Sequence, residues 1–207
     1  EMSRGLGDVY KRQVNWRENE RPHNEFHLNA MYDILQKNYT DAIVQKYRTQ
    51  NEDKALIEMI ERSPVSDALV ICDRGYESYN NMAHLQTSGW KYIIRVKEPG
   101  GRGIADGLQL PECEEFVFPV DLSITRRKNK ETIERLKNSN QCRYIPNKVK
   151  FDYLSKEYKR GDPTELFTLN FRIVRIEISE GSYEMMVTNL PKEDFQKEER
   201  KELYSMR

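Results

Sequence analysis

The residue best placed to do chemistry is the acid that follows a short apolar run in Leu69-Val-Ile-Cys-Asp73-Arg-Gly-Tyr-Glu-Ser-Tyr79. The uninterrupted apolar segment from Ala68 to Cys72 reads as a strand buried on both faces. Gly75 breaks it before a helical pattern begins near Ser78. Asp73 then stands at the carboxyl end of a strand, where α/β sheets gather ligands and metal ions. Taken alone, such an acid is more often a helix cap or part of a solvated turn than a metal ligand.

The charge pattern supplies a second candidate. Lys and Arg number 34, as do Asp and Glu, so net charge gives no general argument for nucleic acid. Between Asp121 and Lys150, however, nine basic residues face three acidic ones, with Arg126, Arg127, Lys128 and Lys130 the densest group. That excess can contact phosphates or form a solvated face. Cys72, Cys113 and Cys142 are widely spaced and show no Cys-x-x-Cys, which predicts free structural thiols. His23, His27 and His84 are too scattered for a ligand set. No apolar run approaches membrane-spanning length, so the expectation is a soluble, cytoplasmic protein with no membrane partner.

The elements that must position Asp73 follow from periodicity. Glu25 to Leu35 alternates Phe26, Leu28, Ala30 and Tyr32 with polar residues. Asn38-Tyr39 is read as a turn into a second strand, Thr40 to Gln45, which predicts a hairpin. Asn51 to Arg62 spaces Ala55, Leu56, Met59 and Ile60 as a helix, with Asn51 as its cap. The strand before Asp73 follows, then a helix from about Ser78 to Thr87 that stops at Ser88-Gly89, then a strand from Trp90 to Val96. This β-β-α-β-α-β order predicts an α/β fold, a mixed sheet with flanking helices. After Glu98-Pro-Gly-Gly-Arg-Gly103 the rhythm is lost. Residues 100–163 are read as a largely β insertion, and 164–207 as return strands, hairpinned at Ser179-Glu-Gly-Ser182, followed by the start of a helix.

Several stretches together resemble the DDE transposases of bacterial insertion sequences, the IS-four-like group. They are Phe26-His-Leu-Asn-Ala-Met-Tyr-Asp33, Tyr39-Thr-Asp-Ala42, Asp73-Arg-Gly-Tyr-Glu-Ser-Tyr-Asn80, Gly89-Trp-Lys-Tyr-Ile-Ile-Arg-Val-Lys97 and Thr188-Asn-Leu190. The resemblance implies an RNase H-like core, here 14–99, interrupted by the β-rich insertion, and a protein that acts on DNA as a dimer on paired transposon ends. It also implies divalent ions, Mg2+ or Mn2+, held by three carboxylates of which Asp73 is the second. In such sites two ions about 3.5 to 4 Å apart activate the attacking oxygen and stabilise the leaving one. Lys97, at a strand end beside Asp73, is a candidate phosphate contact. Tyr204 and Arg207 match the start of the family's Tyr-x-x-Arg-x-x-x-Glu motif and are candidate DNA contacts.

By the same resemblance the first carboxylate belongs upstream of Glu25, and the third follows Arg207 by four residues. Asp33 and Asp41 are read instead as a strand-end acid and a turn acid. Ser3 to Gln13, SRGLGDVYKRQ, resembles a translated sequencing adapter, so residues 1–13 are read as a non-native scar. With one carboxylate of three, the chain as given is expected to be an inactive fragment. An RNase H-like nuclease and a non-catalytic DNA-binding fragment remain open alternatives.

Overall fold

Between Phe26 and Val96 the computed structural model follows the expected order of elements. The structure describes residues 14–15, 23–24, 26–159 and 161–191, which form two compact units, Glu1–Arg62 and Ser63–Arg207. The expected scar at 1–13 and the expected helix that carries Tyr204 and Arg207 lie outside the described residues.

In the first unit, β1 (Val14–Asn15) pairs antiparallel with β2 (His23–Asn24), and β3 (Phe26–Asp33) pairs with β4 (Asn38–Lys46). The hairpin turns earlier than the sequence suggests, over residues 34–37. The Asp33 carboxylate accepts from the backbone N–H groups of Leu35 and Gln36, each at 2.9 Å, and ends the strand there. Lys37 completes the turn with φ of 56°. Helix α1 (Glu52–Arg62) begins where expected, because Asn51 Oδ1 accepts from Lys54 N at 2.8 Å.

Polar side chains hold the hairpin to α1. Arg62 forks onto Asp41 at 2.5 and 2.8 Å, His27 Nε2 lies 3.2 Å from Glu52, and Gln45 exchanges hydrogen bonds with the backbone of Asn51. Asp41 is therefore not a turn acid but a strand residue paired to the helix. The opposite face of the hairpin, with Phe26, Leu28, Tyr32, Tyr39 and Val44, is exposed.

The second unit is built on a six-stranded mixed sheet in the order β5-β6-β10-β9-β7-β8. Its strands are β5 (Leu69–Cys72), β6 (Lys91–Val96), β7 (Phe116–Thr125), β8 (Cys142–Tyr144), β9 (Phe167–Ser179) and β10 (Ser182–Thr188). Strands β5 and β6 are parallel and joined through α2 (Tyr79–Thr87), while β9 and β10 form the expected hairpin. Ser78 caps α2 by accepting from Asn80 N and Asn81 N. The helix stops as predicted: Gly89 takes φ of 77° and the N–H groups of Gly89 and Trp90 turn back to Gln86 O and Leu85 O. Met82, Ala83 and Leu85 on the helix and Tyr92, Ile94 and Val96 on β6 are fully buried. Ile93, Val174, Ile176, Met186 and Leu190 form a further apolar cluster.

Beyond the end of β10, Asn189 prolongs the sheet with its side chain, accepting from Tyr92 N and donating to Trp90 O, each at 2.9 Å. The stretch read as an insertion, 100–163, contributes β7, the short helix α3 (Lys130–Arg135) and β8, separated by loops. Both of its strands lie in the same sheet as the return strands, β7 beside β9 and β8 beside β7.

Candidate active site

Backbone geometry already distinguishes Asp73 from an ordinary cap. It leaves β5 in extended conformation, φ −77° and ψ 171°, and precedes a 3-10 turn over Arg74–Tyr76, yet its carboxylate makes no capping hydrogen bond to that turn. The side chain is 64% exposed at the carboxyl end of the strand. Next to it the Cys72 thiol is pushed up to about 12, first by burial and then by the charge of Asp73, so Cys72 is an inert neighbour.

Two residues that the sequence reading did not single out stand beside Asp73. Arg95 Nη1 donates to Asp73 Oδ1 at 3.1 Å, while Arg95 Nε donates to Glu184 Oε2 at 2.9 Å and Nη2 donates to Glu184 Oε1. Arg74 Nη2 lies 3.6 Å from Glu184. The signal for Arg95 was present: it is a charged residue inside the apolar strand Lys91–Val96, where a buried charge requires a partner. Glu184, in Ser182–Thr188, gives no comparable sign in sequence, because near a turn an acid is ordinary.

Lys97 follows β6 and is exposed at the same end of the sheet. Its backbone N–H donates to Glu77 at 3.0 Å, and Glu77 also accepts from Ile104 N at 2.5 Å. Glu77 thus ties the strand end to the following loop, and a Cβ at Gly103 would fall 2.2 Å from its carboxylate. At the same end of the sheet, but on the face of Met185 and Arg175 opposite to Arg95 and Glu184, a shallow cleft of about 250 Å3 is lined by Glu98, Glu112, Glu114 and Arg175 among others.

The basic residues of 126–130 are elsewhere. Strand β7 runs antiparallel to β9, which runs antiparallel to β10, which runs antiparallel to β6. The carboxyl end of β7 therefore lies at the opposite end of the sheet from Asp73, about 30 Å away at the usual rise per residue. Arg126 is 5% exposed and its guanidinium donates to four carbonyls, those of Pro146, Val149, Phe151 and Leu154. This corrects its reading as a DNA contact, since its donors are spent inside the protein. Arg127 stacks on Tyr158, donates to Asp162 O at 2.6 Å and lies 3.8 Å from the Asp162 carboxylate. Lys128 sits 4.3 Å over the Tyr144 ring, and both Lys128 and Lys130 are exposed.

A family model for the transposase DDE domain matches residues 8–207. The chain belongs to the DDE transposases. No curated protein matches it at a significant level.

Membership accounts for the mixed sheet with flanking helices, which is the RNase H-like arrangement of such transposases, and it makes the chain's function DNA transposition. These enzymes use divalent metal ions and bind DNA. Asp73 offers the hard, exposed oxygen that such an ion takes. Among the described residues no group of three His, Cys, Asp or Glu could hold a metal ion. Among the described residues no helix is long and apolar enough to cross a membrane.

Proposed function

We propose that Asp73 is the second of the three metal-binding carboxylates of an IS-four-like transposase, one that cleaves and joins DNA strands at the ends of an insertion sequence. The observation that carries this reading is a carboxylate at the carboxyl end of a sheet strand, exposed and not used to cap the turn it precedes. Mg2+ is the expected ion, with Mn2+ as a substitute; when bound, it would activate the attacking oxygen and stabilise the leaving one. Within this chain, Asp73 presents the ligand oxygen and Lys97 is placed to meet a phosphate at the same sheet end.

Three further parts of the reading rest on the resemblance: Tyr204 and Arg207 as DNA contacts, dimeric action on paired ends, and a cytoplasmic location. The division into an RNase H-like core at 14–99, an insertion at 100–163 and returning elements at 164–207 belongs to the same proposal. It is supported by the joining of β5 and β6 through α2 and by the return of β9 and β10 to β6. Lys128 and Lys130 are assigned to a second, non-catalytic DNA contact at the far end of the sheet, and Arg126 and Arg127, whose guanidinium groups are engaged within the protein, to structure. The resemblance requires two more carboxylates, so residues 1–207 alone are proposed to be silent in cleavage.

The test is Asp73→Ala in a parent protein that carries all three carboxylates, assayed for Mg2+-dependent nicking at transposon ends. Activity should fall to background. Retained cleavage would sink the assignment of Asp73, and metal-dependent cleavage by residues 1–207 would sink the claim of silence.

A further inference from the structure

Resting on the reading of Asp73 as a metal-binding carboxylate, we infer that Glu184 is a positioning residue that fixes the Asp73 carboxylate through Arg95. Three adjacent strands contribute to this row of charges. Cys72 of β5 pairs with Ile94 of β6, so the next residue along both strands brings Asp73 beside Arg95. Met186 of β10 pairs with Arg95, which makes Glu184 its diagonal neighbour on the same face, within reach of two long side chains.

A guanidinium is planar, with its donors in a rigid fork. Glu184 takes two of its nitrogens, Nε and Nη2, and that bidentate grip fixes the plane. The remaining nitrogen, Nη1, is then fixed in space, and it is this nitrogen that meets Asp73 Oδ1 at 3.1 Å. The gripping pair is withdrawn from water, with Arg95 18% and Glu184 13% exposed, while the acid it holds is 64% exposed. Arg74, 3.6 Å from Glu184, steadies the far side. A partly buried ion pair of this kind is a weak source of stability. Its distinctive product is geometry: one exposed carboxylate held in one orientation by a partner that does not itself contact the substrate.

The test is nuclear magnetic resonance on the isotopically labelled full chain. The Asp73 χ1 couplings should report a single rotamer, and Arg95 Nε–H should appear as a resolved, slowly exchanging signal. In Glu184→Gln, which keeps the shape and loses the charge, the Asp73 couplings should shift to rotamer-averaged values and the Arg95 signal should broaden or vanish. Arg95→Lys should do the same to Asp73, because an ammonium lacks the fork. Glu58→Gln, which removes an exposed pair with Arg62, serves as the control and should leave both signals unchanged. Unchanged Asp73 couplings in either folded variant overturn the proposal. So does the absence of a protected Arg95 Nε–H in the unsubstituted chain, which needs no variant to fold. These outcomes are independent of the cleavage assay: loss of the single rotamer in Glu184→Gln stands even if Asp73→Ala were to spare activity.

Discussion

Arg95, inside β6, and Arg126, just past the end of β7, are both withdrawn from solvent at opposite ends of one sheet, and their charges are met by opposite chemistry. Arg126 gives its donors to four backbone carbonyls of one loop, neutral groups whose positions the guanidinium itself organises. Arg95 divides its donors between two carboxylates, one half-hidden and one exposed. The first arrangement is closed, leaving nothing for a ligand. The second ends on a carboxylate that is largely exposed to water. The functional meaning of a basic residue thus lies in what its donors face, and a run of basic letters does not reveal it.

The sharpest way to break this comparison is to remove Arg126. Arg126→Ala strands four carbonyls in the loop from Pro146 to Leu154, and an unsatisfied buried polar group costs about 1 to 3 kcal/mol. With partial relaxation the net loss should be about 3 kcal/mol or more, read from urea unfolding. A loss below about 1 kcal/mol would show that the loop does not depend on this hub.

Removing Arg95 should cost less. Arg95→Leu leaves Glu184 with Arg74 still 3.6 Å away, so a loss of about 2 kcal/mol is expected by the same measurement. If Arg95→Leu proves the more damaging of the two, the contrast between a structural and a site arginine fails.

A smaller, pH-dependent effect belongs to the loop that Arg126 organises. Asp152 accepts from Asn80 Nδ2 at 2.8 Å, lies 3.0 Å from His84 Nε2 and returns its own N–H to Asn80 Oδ1, tying the loop to α2. Burial, the largest single influence, pushes its carboxyl up, but the hydrogen bonds from Asn80 and His84 and the charge of Lys150 outweigh it and hold the group below the usual 3.8. A lowered folded-state value means that this stabilisation is present above the unfolded value and is lost as pH falls through the folded one. Asp152→Asn should therefore flatten the decline in melting temperature below about pH 4, where its ordinary value lies. An unaltered acid limb would remove Asp152 from the account.

The smallest effect on stability is expected at the exposed cations. Lys128→Glu and Lys130→Glu should change unfolding free energy by no more than about 0.5 kcal/mol. If this end of the sheet meets DNA, each should lower the slope of log affinity against log salt by about one for every phosphate that is no longer neutralised. An unchanged slope would remove Lys128 and Lys130 from any DNA contact.

Much of the second unit was legible because its signals are local. Ser78, Ser88-Gly89 and the turn at Ser179-Glu-Gly-Ser182 act on backbone groups only a few residues away, and the structure places helix and hairpin ends at these positions. In the first unit the alternation of Phe26, Leu28, Ala30 and Tyr32 identified a strand but not which face would be covered. The polar face won, since His27, Asp41 and Gln45 each find a matched group on α1 or at its start. Arg126 misled for a related reason: its four acceptors lie 20 to 28 residues further along the chain, a separation that no spacing rule reads.

The sequence by itself determined the strand that ends in Asp73, the helices that flank it and, through a constellation of short matches, the transposase family. These follow from periodicity, local capping and residue identity, all of which act over a few positions. Only the tertiary structure decided that Arg95 and Glu184 attend Asp73 while the basic stretch lies at the other end of the sheet. Strand order and direction set those relations, and they depend on pairings between segments up to about a hundred residues apart, whose registry is fixed by the packed sheet as a whole.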